Sequence, residues 1–191
     1  MDTPVMNINV LNTRVIHLLR KAETEAVTFG RHAGIACPGD CGKCCVKGEI
    51  EASPLALLPL AIQALRSGRA ESLLGEAALA TATPCMFYTY ASPFHCTVYA
   101  VRPLVCRLFG FAGRRDKHGR VEFRPCRHMA TVPRVGTIPP LFSTWHNRLE
   151  GLYPPLGDLM PLRAALNRIL TWLLLRDTLY GCRPPGGKHV A

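Results

Sequence analysis

At 191 residues with 48% hydrophobic content, the chain has room for one domain with a substantial core, is short for two, and contains nothing resembling a long disordered region. A net charge of +10, from 23 Lys plus Arg against 13 Asp plus Glu, leaves few carboxylates for hydrolytic acid–base chemistry, and no Ser-His-Asp set stands out. Met1 to Asn12 lacks the basic and apolar regions of a signal peptide, and the strongest apolar run, Ile169 to Leu175, is far short of the about 20 residues a bilayer crossing needs. The expectation is a cytoplasmic chain with no membrane partner.

From Asn9 to His32, Val10, Ile16, Leu18, Leu19, Ala22, Ala26 and Phe29 recur at near-helical spacing, which predicts an amphipathic helix stopped by Gly34 and the Pro38-Gly39 pair. Ser53-Pro54 is a helix-start signal, a capping residue before a proline at the first helical position, and predicts a helix over Leu55 to Leu65 that ends near Gly68. A second short helix is expected over Ala70 to Ala80, closed by Thr83-Pro84. Between Cys85 and Cys126 the prolines, glycines and aromatics come in short irregular bursts. There Val121 to Phe123 is expected to pair with Leu108 to Phe111 as a hairpin around Asp116 to Gly119. Pro133, Pro139 and Pro140 mark an extended connector. Helices are then predicted over Phe142 to Leu152 and Leu159 to Tyr180, the latter burying Leu162, Leu166, Ile169, Leu170, Leu173 and Leu174. Gly181 ends it, and residues 183–191 should form a flexible tail. The fold expected is mainly α: one small helical domain over residues 1–182 around a loop-rich, cysteine-bearing centre at 37–126.

Eight of the nine cysteines form one ordered pattern. Cys37, Cys41, Cys44 and Cys45 fall within nine residues, and Cys85, Cys96, Cys106 and Cys126 follow at wider spacing. In a reducing cytosol, thiols persist as metal ligands rather than disulfides, and an odd count leaves one over from any all-disulfide scheme. Four thiolates complete a tetrahedral zinc site or hold one iron–sulfur cluster. The adjacent pair Cys44-Cys45 argues for two centres or one polynuclear centre, because neighbouring side chains diverge in helix and strand alike. If a helix starts at Cys41, then Cys44 and Cys45 at i+3 and i+4 share its face. The remaining cysteine, Cys182, reads as a free thiol. His95 and His128 sit near Cys96 and Cys126, where histidines more often support a site than ligate.

Basic residues concentrate between Arg102 and Arg134, including Arg107, Arg114, Arg115, Lys117, Arg120, Arg124 and Arg127. Three readings are open: a patch for nucleic acid or another polyanion, a counter-charge for clustered thiolates, and a solvated basic face. Nucleic acid is the weakest as a base-stacking partner, since the stretch lacks interleaved aromatics.

Cys37-x3-Cys41-x2-Cys44-Cys45, followed by Cys96-Thr-Val-Tyr99-Ala-Val-Arg102-Pro103-Leu-Val-Cys106-Arg107, resembles the CxxCxxCC family of zinc- or iron-chelating domains over roughly Cys37 to Cys126. Three residues separate Cys37 from Cys41 where the family name implies two. The resemblance implies metal-ligand roles for Cys37, Cys41, Cys44, Cys45, Cys85, Cys96 and Cys106, with Cys126 as an eighth. It implies cofactor-binding or anchoring roles for Tyr99, Arg102 and Arg107. Arg102 would offset thiolate charge or hold a carboxylate, and Tyr99 would donate a hydrogen bond to sulfur. The implied cofactor is an iron–sulfur cluster or, second, zinc, in a protein of electron transfer, metal handling or structural support that meets metal ions and a protein or redox partner. Flagellin lysine N-methylases are similar to the family at the cysteine motif, so an S-adenosylmethionine-dependent protein methyltransferase is the enzymatic alternative. The chain has no Gly-rich strand-to-helix turn of a Rossmann fold to support it. Cys37-x3-Cys41-x2-Cys44 also matches radical S-adenosylmethionine enzymes, but the strand–helix repeats of their barrel are missing.

Overall fold

The computed structural model describes residues 7–38, 41–46, 50–79, 84–91, 95–129 and 138–180. Gly39, Thr83, Pro133, Gly181, Cys182 and the expected tail lie outside the described residues. The protein is mainly α, with seven helices among the described residues and two small two-stranded sheets.

Helix α1 (Ile8–Ala33) begins at Asn7, whose side chain accepts from the Asn9 and Val10 amides, and ends at Gly34 in the left-handed region at φ 71°. Its buried stripe is Leu11, Val15, Leu19, Ala22, Ala26 and Phe29. Val10 is half exposed and Ile16 only partly covered, so the core-facing stripe in the first turns is Leu11 and Val15 instead. Helix α2 (Lys43–Val46) is one turn carrying Cys44 and Cys45. Strand β1 (Glu51–Ala52) leads to Ser53, which is buried and caps the next turn, its Oγ accepting from the Ala56 amide at 3.3 Å. The Ser53-Pro54 signal therefore holds, with a 3-10 turn at Pro54–Leu57 before helix α3 (Leu58–Arg66). Helix α4 (Ala70–Ala78) follows.

The Cys85–Cys126 stretch contains helix α5 (Leu104–Leu108) and strands β2 (Gly113–Arg115) and β3 (Val121–Phe123). The hairpin turns around Asp116 to Gly119 as expected, but β3 pairs with β2, Arg115 facing Val121, and not with Leu108 to Phe111. Asp116 explains the register. Its Oδ1 accepts from the His118 and Arg120 amides, its own amide donates to the Arg120 carbonyl, and Gly119 at φ 80° completes a tight loop that pairs the residues immediately outside it. Helix α6 (Phe142–Glu150) is next. Strand β4 (Met160–Pro161) pairs antiparallel with β1, so helix α7 (Leu162–Tyr180) starts after the extended Leu159–Pro161 segment and not at Leu159.

The core lies between α1, which packs on α3, α5 and α6, and α7, which packs on α4, α3 and the Pro54–Leu57 turn. Leu55, Leu57, Leu58, Leu166, Ile169 and Leu170 are wholly buried there. Each such side chain is worth about 1.5–3 kcal/mol in water exclusion, so this scaffold and not the cysteine loops holds the helices. No helix among the described residues is long and apolar enough to cross a membrane.

Candidate metal centre

Loops and two short helices, α2 and α5, carry the eight cysteines, and packing brings these segments toward one another. The Cys37 segment leaves α1 beside Ile35, which forms a small apolar cluster with Phe29 and Ala33. Phe111 and Phe123 pack on the same cluster, with the Phe29 and Phe123 rings edge to face at 5.1 Å. Cys126 lies three residues beyond Phe123, so this cluster brings the two distant cysteines toward each other. Gly110, at φ 79°, presses on Cys126: a Cβ there would meet Cys126 Cβ at 3.0 Å and Met129 Cε at 2.7 Å.

Cys45 and Cys85 are tied through the backbone, the Cys85 amide donating to the Cys45 carbonyl at 2.8 Å. Cys96 bridges to Tyr88 as a short antiparallel pair, and the Thr97 amide donates to the Phe87 carbonyl at 3.0 Å. Cys106 sits on α5, whose Leu104 and Leu108 anchor in the main core. Helix α2 starts at Lys43, so Cys41 precedes it and does not share its face. Although side chains of adjacent residues tend to diverge, Cys44 Sγ and Cys45 Sγ lie 3.7 Å apart.

All eight cysteines are free thiols and none is fully buried. Their ionisation shows them to be electrostatic neighbours. Burial raises Cys37, and the thiols of Cys41, Cys44 and Cys126 raise it further. The hydrogen bond shared by the Cys44 and Cys45 sulfurs splits the pair, with Cys44 pulled down to about 6 and Cys45 driven up. Desolvation pushes Cys106 to about 12, with Cys85, Cys96 and Cys44 adding to it. Burial also raises Cys85 and Cys96, opposed by hydrogen bonds from the Phe87 and Val98 backbone. The backbone two residues beyond Cys85 and Cys96 thus favours the charged sulfur, which suits a thiolate ligand. Among the described residues no three His, Cys, Asp or Glu side chains yet close round one point as an ion's ligand set.

Arg102 lowers Cys37, Cys44, Cys96 and Cys106 through its charge. It also stacks over the Tyr99 ring, 3.8 Å from the centroid, donates to the Tyr99 carbonyl, and pairs with Glu23 Oε1 at 2.5 Å. Arg107, 8% exposed, pairs with Glu23 Oε2 and donates to the Arg102 and Ala100 carbonyls at 2.9 Å each. The Tyr-x-x-Arg-Pro-x-x-Cys-Arg string is thus a clamp that fastens the Cys106 turn to α1. Glu23 completes it. Nothing in the local pattern marked that residue; only its position as an acid on the partly covered side of α1 could have.

Of the basic stretch, Arg114 and Arg124 pair with Glu122, and Arg120 pairs with Asp116, all at the exposed hairpin. Such pairs are worth little to stability.

The family model CxxCxxCC, described as a putative zinc- or iron-chelating domain, matches residues 36–127. No curated protein and no solved structure gives a significant match.

Proposed function

Since residues 36–127 match the CxxCxxCC family model, we propose that this protein holds a metal centre through the thiolates of Cys37, Cys41, Cys44, Cys45, Cys85, Cys96, Cys106 and Cys126. The observation that carries this reading is the convergence of these cysteines from segments up to 89 positions apart: Cys41, Cys44 and Cys126 lie near enough to raise Cys37, and Cys85, Cys96 and Cys44 to raise Cys106. The donor chemistry fits. Soft thiolates suit zinc and iron–sulfur clusters, backbone N–H groups reach Cys85 and Cys96, and Arg102 offsets part of the negative charge. Ligand sets are rarely preformed without their metal, so binding is expected to draw the thiols inward and add its free energy to folding.

An iron–sulfur cluster is the favoured occupant and zinc the second. A cluster supplies one-electron redox chemistry, whereas a four-thiolate zinc is coordinatively closed and supplies structure. Eight thiols match two four-thiolate sites or one cluster with one zinc. The role is electron transfer, metal handling or structural support within one domain spanning residues 1–182, in a reducing cytoplasm and with a protein or redox partner. Tyr99, Arg102 and Arg107 frame the centre and tune its charge.

The test is metal and acid-labile sulfide analysis, with a visible spectrum, on protein purified without oxygen. Iron with sulfide and a brown chromophore supports the cluster. Colourless protein with stoichiometric zinc supports the structural or metal-handling role. Folded protein that takes up neither metal overturns the reading.

A further inference from the structure

Among the described residues, His95 is the one non-glycine residue with positive φ, at 51°. Such a conformation is uncommon outside glycine and persists where surrounding contacts over-determine it. Here they do. The His95 ring stacks on Tyr88 with centroids 5.7 Å apart, and Tyr90 meets it edge-on at 6.5 Å. Its Nδ1 lies 3.1 Å from the Thr89 carbonyl oxygen. A carbonyl only accepts, so Nδ1 is the donor. The Thr89 amide in turn donates to the His95 carbonyl at 3.3 Å.

The opposite side of this side chain meets Gly42. A Cβ on Gly42 would fall 2.6–2.7 Å from His95 Cδ2, Cβ and Cγ, and Gly42 is itself left-handed at φ 52°. Two left-handed residues from distant loops therefore interlock. One stands between Cys41 and Cys44, the other directly before Cys96. The contact admits no side chain at Gly42, and the fixed ring has little freedom to yield.

We propose that His95 is a positioning residue, a wedge locked by Tyr88 and Thr89 whose ring seats the Cys41–Cys44 turn against the Cys96 loop. The inference rests on the metal-binding reading above. It gives His95 a role through packing and not through ligation, and it gives Gly42 a reason to be glycine.

The test uses the full-length chain, metal-free and reduced, as wild type, His95→Ala, His95→Phe and Gly42→Ala. Zinc affinity is measured by competition with a chromophoric chelator, and cobalt(II) reports thiolate ligation through its charge-transfer band. Outer-sphere supports of metal sites typically contribute about 10–100-fold in affinity. His95→Ala and Gly42→Ala are each expected to weaken zinc by about 10-fold or more and to reduce the cobalt–thiolate band. His95→Phe keeps a ring between Tyr88 and Gly42 but loses the Nδ1 bond to Thr89, and is expected to lose clearly less than His95→Ala. Equal loss in His95→Phe and His95→Ala would overturn positioning in favour of direct ligation, and wild-type affinity in His95→Ala would overturn it outright. A wild-type chain that takes neither zinc nor cobalt would instead count against the metal reading. Positioning then has its own readout: iodoacetamide should alkylate Cys41 and Cys44 faster in metal-free His95→Ala than in wild type or His95→Phe, and unchanged rates would refute it.

Discussion

Glu23 on α1 and Arg107 on α5, 84 positions apart, are joined by a carboxylate–guanidinium contact in which Arg107 is nearly buried and Glu23 also receives Arg102. This contact determines where the Cys106 turn sits relative to the helical scaffold. Burial lowers Arg107 and the Glu23 charge raises it, so the pair resists its own desolvation only while both partners remain.

Replacing Glu23 with Gln should therefore destabilise the metal-free protein by about 2–4 kcal/mol, because a buried guanidinium loses its counter-charge. Urea unfolding at neutral pH measures it. A loss below about 0.5 kcal/mol, the level of an exposed pair, would show that the clamp contributes nothing.

Cys41→Ser and Cys106→Ser should each lower bound metal and the melting temperature of the metal-loaded protein, since metal-binding energy is also folding energy. Elemental analysis alongside calorimetry tests this. Two variants with wild-type metal content and melting would exclude these cysteines as ligands.

The desolvated, part-buried Cys106 thiol should make the metal-free protein lose stability in alkali. Its folded pKa is raised from 9.0 to about 12, so its contribution is complete below pH 9 and is lost as pH rises toward 12. The slope attributable to this group approaches 1.4 kcal/mol per pH unit, roughly one proton's worth. Denaturant titrations at several pH values in that window, on wild type and Cys106→Ala, should show a shallower decline in the variant. Equal slopes would contradict the assignment. Because the proton must leave for sulfur to bind metal, metal affinity should rise over the same range.

Gly110→Ala should cost about 1–2 kcal/mol from its left-handed backbone alone, and more from crowding, since the new methyl would meet Met129 and Cys126. Thermal unfolding measures the loss. Alkylation of Cys126 should change with it, and an unaltered melting curve would show that the turn at residues 109–111 relaxes freely.

Much of this architecture is legible along the chain because local rules govern it. Ser53-Pro54 caps a helix start, Gly34 ends α1, and Leu166, Ile169 and Leu170 recur at the spacing of a buried face. The exceptions have tertiary causes. Val10 and Leu11 are both apolar, and only the approach of α3, α5 and α6 decides that Leu11 faces inward. Strand β3 had two apolar or polar neighbours to choose from, and the Asp116–Gly119 loop chose Gly113–Arg115. Leu159 to Pro161 reads as helix until β1 offers it a ladder.

For the candidate site the division is sharper. Cysteine identity, number and spacing are written in the chain, and with them the soft-donor chemistry, because a thiol's affinity for metal is a property of the side chain. Proximity is not. That Cys37 nears Cys126, that Glu23 grips Arg102 and Arg107, and that His95 rests on Gly42 follow only from helix packing and from the Phe29–Phe123 cluster. Contacts between residues tens of positions apart depend on where the core places each loop, and no local pattern encodes that placement.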